Sequence, residues 1–350
     1  MTHMKPNRTG PTRSVVLLLA DDCQASAVLS MVEVLRVANL HAARAEPGAP
    51  PVFRWQLLSP DGKPVRTMGG ATVGVEGNLS RAGRADAVFV PAIHFDGDVL
   101  RLQRSVETLT DSCGSWLVDQ YRAGAVLAAS CSGAFVLARA GLLDGKRATT
   151  SWFLGRLFQE LFAQVRFCEG ALVTRDGKLF CAGAFSASLD LCLQIVEHFA
   201  GPALALACAK VVLIDINRDS QFPYMTLQAR ARHGDQLVLR AQSRIHSRVR
   251  EDTSVEDLAR SLGVSARTLN RRFHVAIGCS PTRYLQEVRI EGAKRLLETS
   301  GLSLEQIMER VGYRDASSFR RLFERTTKVS PGRYRRMFGR RERWTAEGHA

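Results

Sequence analysis

A repeat near the C-terminus constrains this chain more than any other feature. Residues 253–273 and 302–323 share one outline: Gly263 matches Gly312, Phe273 matches Phe323, and Ser280-Pro281 downstream matches Ser330-Pro331. Copies about 50 residues apart mean one supersecondary unit used twice. Each copy reads as helix, tight turn, helix. Ser254 is placed to cap a helix whose first turn holds Glu256 and Asp257, carboxylates that suit the positive helix end. Val255, Leu258, Ala259 and Leu262 fall on one face, and Gly263 ends the run as a glycine with positive φ can. Ser265 then caps a helix that turns Leu269 and Phe273 inward and Arg267, Asn270 and Arg271 outward. In the second copy Ser303 caps, Leu304, Ile307, Met308 and Val311 pack, and Gly312 terminates. The helix after it, about 316–325, buries Phe319 and Phe323 and exposes Ser317, Ser318, Arg320 and Arg321.

That pattern is a helix-turn-helix, whose second helix enters the major groove of DNA. Arginine and asparagine there carry the donors that read guanine and adenine edges, while other side chains hold phosphate. The candidate DNA-binding residues are Ser265, Arg267, Thr268, Asn270, Arg271, Ser317, Ser318, Arg320 and Arg321. Between the copies, 281–299 reads as one longer helix with Tyr284, Leu285, Val288, Ile290, Ala293 and Leu296 inward. A rigid connector of this kind holds two reading helices about 34 Å apart, one turn of DNA. Charge agrees. Of a formal +14, residues 240–343 hold 24 Lys and Arg against 12 Asp and Glu, so nearly all the excess lies with the repeat. Charge concentrated in this way is the electrostatic footprint of a polyanion binder.

The region 242–340 resembles the AraC/XylS-type DNA-binding domain. Ile307, Gly312, Tyr313, Ser318, Phe319 and Phe323, followed by Ser330-Pro331 and Tyr334-Arg335, carry the resemblance. It departs at one loop: the family's glycine before that Ser-Pro is replaced by Lys328-Val329.

Upstream the pattern changes. Residues 14–20 are nearly all apolar, as a parallel strand buried on both faces requires. A helix is expected at 25–41, strands at 53–58, 87–91 and 125–129, and a helix at 105–122. Asp176-Gly177 is a hairpin-turn pair, and 186–199 reads as an amphipathic helix. Strands alternating with helices imply an α/β sandwich around a mainly parallel sheet. No apolar run reaches the roughly 18 residues that span a membrane. The run 15–20 is too short for a signal-peptide core, so a cytoplasmic protein is expected.

The eight cysteines are scattered singly, without a C-x-x-C pair, which argues against a zinc ribbon or a disulfide framework. Most read as small buried apolar residues. Cys131 differs in context. An apolar strand runs through Ala128 and Ala129 into a small-residue turn, Cys131-Ser132-Gly133, and directly on into a helix. A nucleophile elbow places its reactive atom at such a turn, and the amides opening the helix suit an anion. The pattern equally describes a buried cysteine at a strand–helix junction, and spacing alone leaves both readings open.

Residues 14–200 resemble the class I glutamine-amidotransferase-like superfamily, of the intracellular-protease (PfpI) and Parkinson-protein type. The stretch from Cys131-Ser132-Gly133-Ala134-Phe135 through Gly141-Leu142-Leu143-Asp144-Gly145 to Ala148-Thr149-Thr150 carries that resemblance. With the C-terminal region included, nearly the whole chain resembles the GlxA-type AraC regulators. The resemblance implies a flavodoxin-like α/β sandwich with a nucleophile-elbow-type turn, joined to an all-α domain with two helix-turn-helix units. It also implies a homodimer. Catalytic relatives place a histidine about twenty residues after the cysteine; Ser151 stands there, before Trp152. Their acidic partner falls near Ser26 or Ala27. A thiol without a base in reach has little support as a nucleophile, so a pocket kept for sensing is expected. Its candidate residues are Ile93, His94, Phe95, Cys131, Ser132, Ser151 and Trp152. Relatives include sensors of amino acids and betaine-like compounds, and the faces of Trp152 or Phe95 suit a cation.

The expected organisation is a disordered tail at 1–13, an α/β sensor at 14–214, a linker at 215–239, the DNA reader at 240–340 and a tail at 341–350. Expected partners are double-stranded DNA, a small-molecule effector, a second copy of the chain and RNA polymerase, without a membrane, metal or cofactor. The competing reading is a thiol-dependent amidase or hydrolase with an appended DNA-targeting domain.

Overall fold

Double-sided burial of a central sheet organises the N-terminal half. The computed structural model describes residues 11–93, 95–227, 233–251 and 254–339. Its contacts divide the chain into two units, one ending at Gln221 and the other beginning at Phe222. The strands of the first unit are β1 (Arg13–Leu18), β2 (Phe53–Ser59), β3 (Val65–Arg66), β4 (Thr72–Val73), β5 (Gly77–Asn78), β6 (Ala87–Val90), β7 (Val126–Ser130), β8 (Arg147–Ala148), β9 (Arg166–Phe167), β10 (Val173–Asp176) and β11 (Leu179–Ala182). Its helices are α1 (Ala25–Ala45), α2 (Val99–Arg122), α3 (Gly133–Arg139), α4 (Gly155–Leu161), α5 (Ala187–Ala200) and α6 (Pro202–Val211).

Seven strands form one sheet in the order β10-β11-β7-β6-β1-β2-β5, parallel except for the edge strand β10. Alternate residues serve opposite faces. Val15, Leu17, Phe89 and Ala128 join the core made with α1, α5 and α6, while Val16, Leu18, Val90 and Ala129 join that made with α2, α3 and α4. Both faces being covered at the centre, β6 is apolar throughout and β1 and β7 nearly so, while the outer strands β2 and β10 keep Arg54, Gln56, Arg175 and Asp176. Expected elements fall close to those observed. The main difference is α2, which starts six residues earlier than its apolar pattern indicates, because Asp98 accepts from the amides of Leu100 and Arg101. Helix α6 and the short strand pairs were not anticipated.

The second unit contains α7 (Gln236–Ser247), α8 (Val255–Ser261), α9 (Ala266–Ile277), α10 (Pro281–Thr299), α11 (Leu304–Arg310), α12 (Ala316–Thr327) and α13 (Pro331–Phe338). The caps expected at Ser254, Ser265 and Ser303 form, the last as a reciprocal capping box with Gln306. Gly263 and Gly312 end their helices at φ 72° and 80°. At Gly312 a methyl group would also lie 2.8 Å from the Val249 carbonyl oxygen, so the turn needs glycine twice over. Two hydrophobic clusters result, one per copy. The connector α10 feeds both, with Tyr284 and Val288 in the first and Ile290, Ala293 and Leu297 in the second.

Of the expected linker at 215–239, residues 228–232 lie outside the described residues. Asp219 and Gln221 are hydrogen-bonded into the first unit, and α7 already begins at Gln236, capped by Asp235. Asp235 also accepts a bidentate pair of bonds from Arg272, both 2.7 Å, tying α7 to α9. Arg13, expected in a tail, opens β1. Residues 1–10 and 341–350 of the expected tails lie outside the described residues.

Lys328 occupies the left-handed region at φ 60°, where the first copy has Gly278 at φ 75°. That conformation costs a non-glycine residue about 1–2 kcal/mol, against about 0.5 kcal/mol returned by its ammonium lying 5.4 Å from the Phe222 ring centre. Lys328→Gly is expected to raise the urea midpoint of the C-terminal unit, by about 1 kcal/mol in stability. A lowered midpoint would show the lysine contact to outweigh its backbone cost.

Candidate functional site

Strands β6 and β7 lie side by side and end together, the edge where open α/β sheets place ligands. After Ser130 the chain turns sharply. Cys131 takes φ 53°, a strained value for a residue with a side chain, and α3 begins two residues later. Three bonds hold the elbow: the Cys131 amide donates to Ala182 O at 2.9 Å, its carbonyl accepts from Thr150 Oγ1 at 2.8 Å, and its thiol lies 2.6 Å from Ser151 Oγ. Ser151, fully buried, thus occupies the place expected of a base and offers only a hydroxyl.

Not every expected pocket residue faces outward. Ser132 is fully buried; its hydroxyl accepts from the Ile93 amide at 2.8 Å and donates to the Ile93 carbonyl at 2.6 Å. Ile93 also bridges to Cys23 and is 4 % exposed. The Ile93 amide and carbonyl are therefore both engaged within the fold. His94 lies outside the described residues. Phe95 is half-buried and stacks on Phe153, ring centres 6.3 Å apart at 12°, and Trp152 meets the same Phe153 edge-on at 5.5 Å. Phe153, 43 % exposed, was not singled out from sequence, although its place directly after Trp152 was the available signal. Ser130 Oγ, buried beside the elbow, has no hydrogen-bond partner among the described residues.

Gln221 was missed altogether. Its side-chain oxygen accepts from the amides of Trp152 and Ala184 at 3.2 and 3.3 Å. Its nitrogen donates to the carbonyls of Thr150 and Ala171 at 3.0 and 2.8 Å. No local motif marks a glutamine seventy residues away as part of this site.

Electrostatics sets the chemistry. Burial raises the Cys131 pKa, only partly offset by hydrogen bonds from Ser151 and Ser132. The thiol therefore stays protonated at neutral pH, and no histidine or carboxylate is hydrogen-bonded to it among the described residues. Such a group is a poor nucleophile.

In the second unit the helices α9 and α12 present the expected reading residues. Arg267, Arg271, Ser317, Ser318, Arg320 and Arg321 are exposed, as is Ser265 at its cap. Thr268 and Asn270 are half-buried; the Asn270 amide donates back to Ala266 O at 3.1 Å. Arg272, one position on, is taken up by Asp235. Inward-facing Phe273, Phe319 and Phe323 are fully buried.

Residues 13–198, more than half the chain, match the DJ-1/PfpI family. The chain belongs to that family. Residues 258–337 match a helix-turn-helix domain, so this DJ-1/PfpI member carries an AraC-type DNA-binding unit. It is 29% identical over 309 residues to the HTH-type transcriptional regulator CdhR of Pseudomonas aeruginosa, covering 88% of this chain and 87% of that protein. It is 27% identical over 327 residues to GbdR of the same species (93% and 84% covered) and 28% identical over 312 residues to GlxA of Rhizobium meliloti (89% and 91%). Among solved structures, Drosophila melanogaster DJ-1beta aligns with 59% of this chain and 100% of its own at 20% identity and a TM-score of 0.48.

The state of the thiol is open to direct measurement. The thiolate absorbance that disappears in Cys131→Ala is expected to develop only above pH 9, the ordinary value for a cysteine here. A band already present at pH 7 would overturn the assignment of an inert thiol. Because the folded-state pKa lies above the unfolded one, stability contributed by the neutral thiol is full at neutral pH. It is lost as pH rises past 9.

Proposed function

We propose that this protein is a sequence-specific DNA-binding transcription regulator whose N-terminal unit senses a small metabolite at the Cys131 elbow. The observation that carries the reading is the paired reader: two capped helix-turn-helix units share α10 and expose Arg267, Arg271, Arg320 and Arg321 on their second helices. Regulators related over most of the chain support it. The effector is proposed to be an amino acid or betaine-like cation, bound against Phe95, Trp152 and Phe153, whose ring faces attract positive charge. The protein acts as a homodimer through the α/β unit, where Leu206, Val211, Leu213 and Ile216 expose apolar side chains. A dimer brings four reading helices to DNA and gains from effective concentration. Contact with RNA polymerase then links the bound operator to transcription. The site works without metal or cofactor, in the cytoplasm. Thiol hydrolysis is disfavoured by the raised Cys131 pKa and by Ser151 in the place of a base.

Selection of duplexes from a random pool tests this reading first. A recurring site with two half-sites one turn apart is expected, with affinity falling steeply with salt, about 0.9 log units per log unit of salt for each phosphate neutralised. Weak, salt-sensitive binding without an enriched sequence would overturn it. Arg320→Ala and Arg321→Ala are each expected to weaken operator binding, by about 1–3 kcal/mol where a base is read, with the unfolding midpoint unchanged. Unaltered affinity in both would remove the second copy from the reading surface. Amino acids and quaternary ammonium compounds, screened by their effect on operator affinity, test the effector class. Light scattering that finds only a monomer would sink the dimer.

A further inference from the structure

The last residues of the first unit and the first residues of the second are each fastened within their own unit, and they are consecutive in the chain. On the first unit, Arg218 pairs with Asp190 and reaches the Ser186 carbonyl of the α5 cap. The Leu172 amide donates to Asp219 O at 2.9 Å, and Ser220 bridges to Ala171. Gln221 is 2 % exposed, and all four hydrogen-bonding positions of its side-chain amide are used. Its backbone amide donates to Gly170 O at 2.6 Å. The seat is built for it: a methyl group on Gly183 would overlap the Gln221 amide. Two of its bonds go to Thr150 and Trp152, so it brackets Ser151, whose hydroxyl touches the Cys131 thiol.

The next residue already belongs to the second unit. Phe222 opens a single helical turn, 222–224, and its ring lies under the Lys328 ammonium at the end of α12. Tyr224 packs edge-on against Phe338 of α13 at 5.2 Å, and Lys294 of α10 donates to the Met225 carbonyl. One peptide bond therefore joins a clamp on the elbow loop to an anchor on the second helix-turn-helix copy.

We propose that Gln221 is a positioning residue that couples the elbow to the DNA reader. It holds residues 150–152 in place, and a change at Ser151 or Trp152 loosens or tightens its seat. Through Phe222 that change pulls on the bundle of α10, α12 and α13. A buried amide with four partners has two discrete conditions, seated or released, because a partly seated one leaves polar groups unpaired at a cost of about 1–3 kcal/mol each. The proposal rests on the elbow being the effector site, but its test needs no effector. Binding linkage is reciprocal, so DNA on the reader must alter the elbow if the two are coupled.

The full chain would be studied in a Cys168→Ser background, since only Cys131 and Cys168 among the eight cysteines are not fully buried. Iodoacetamide labelling of Cys131 is timed with and without the selected operator duplex, or with a mixed-sequence duplex at low salt if selection enriches none. In the parent the duplex is expected to change the labelling rate on the order of fivefold. Gln221→Ala is expected to abolish that change and to speed amide exchange at Trp152 and Ala184. A Gly-Gly-Ser insertion between Gln221 and Phe222 is expected to abolish the change while leaving that exchange slow, because the clamp is intact and only the tether is slack. No duplex effect in the parent, or an effect that survives the insertion, overturns the coupling. A small-molecule screen that leaves DNA affinity untouched would instead count against the effector reading, while the labelling result still decides the coupling.

Discussion

Burial of β1, β6 and β7 on both faces is the constraint from which the N-terminal unit follows. A strand whose every side chain meets apolar surface forces helices onto both sides of the sheet, and parallel order aligns the strand ends along one edge. Cys131 sits at that edge because β7 ends at Ser130 and the chain turns directly into α3. Its strained backbone is held by Ala182 and Thr150, and Thr150 is in turn held by Gln221. Strain at one residue is thus stabilised by contacts that reach to the last residue of the unit.

The C-terminal unit solves a different problem. Two small helical pairs are each too short to bury a core alone, and α10 lends opposite ends of one helix to both. The connector carries two buried cations that its apolar spacing does not announce. Arg289 donates to the carbonyls of Val249 and Glu251 and covers Tyr313, while Lys294 lies beside Tyr334 and holds Met225. Positive charge here does two jobs: buried cations fasten the chain over the bundle, and exposed arginines on α9 and α12 are left for a polyanion.

The reader was largely legible because its signals are local. Caps, glycines and the inward phenylalanines each act within a turn or two, and Ser254, Ser265, Ser303, Gly263 and Gly312 perform as their spacing indicates. The elbow was half legible. Strand, turn and helix around Cys131 follow from sequence, but the inward bonding of Ser132 with Ile93 does not, because thirty-nine residues separate the partners. Phe153 and the start of α2 at Asp98 escaped for lesser reasons, a neighbouring tryptophan and a capping aspartate ahead of the apolar pattern.

Sequence by itself determined the fold class, the repeat, the family resemblance and the exchange of a catalytic base for Ser151, since each is written in residues near one another in the chain. Tertiary structure alone decided the protonation of Cys131 and the role of Gln221. Burial sets the first, and burial is a sum over many distant neighbours. The second depends on a glutamine folding back across some seventy residues to satisfy four backbone groups at once, an arrangement fixed only when the whole unit has closed.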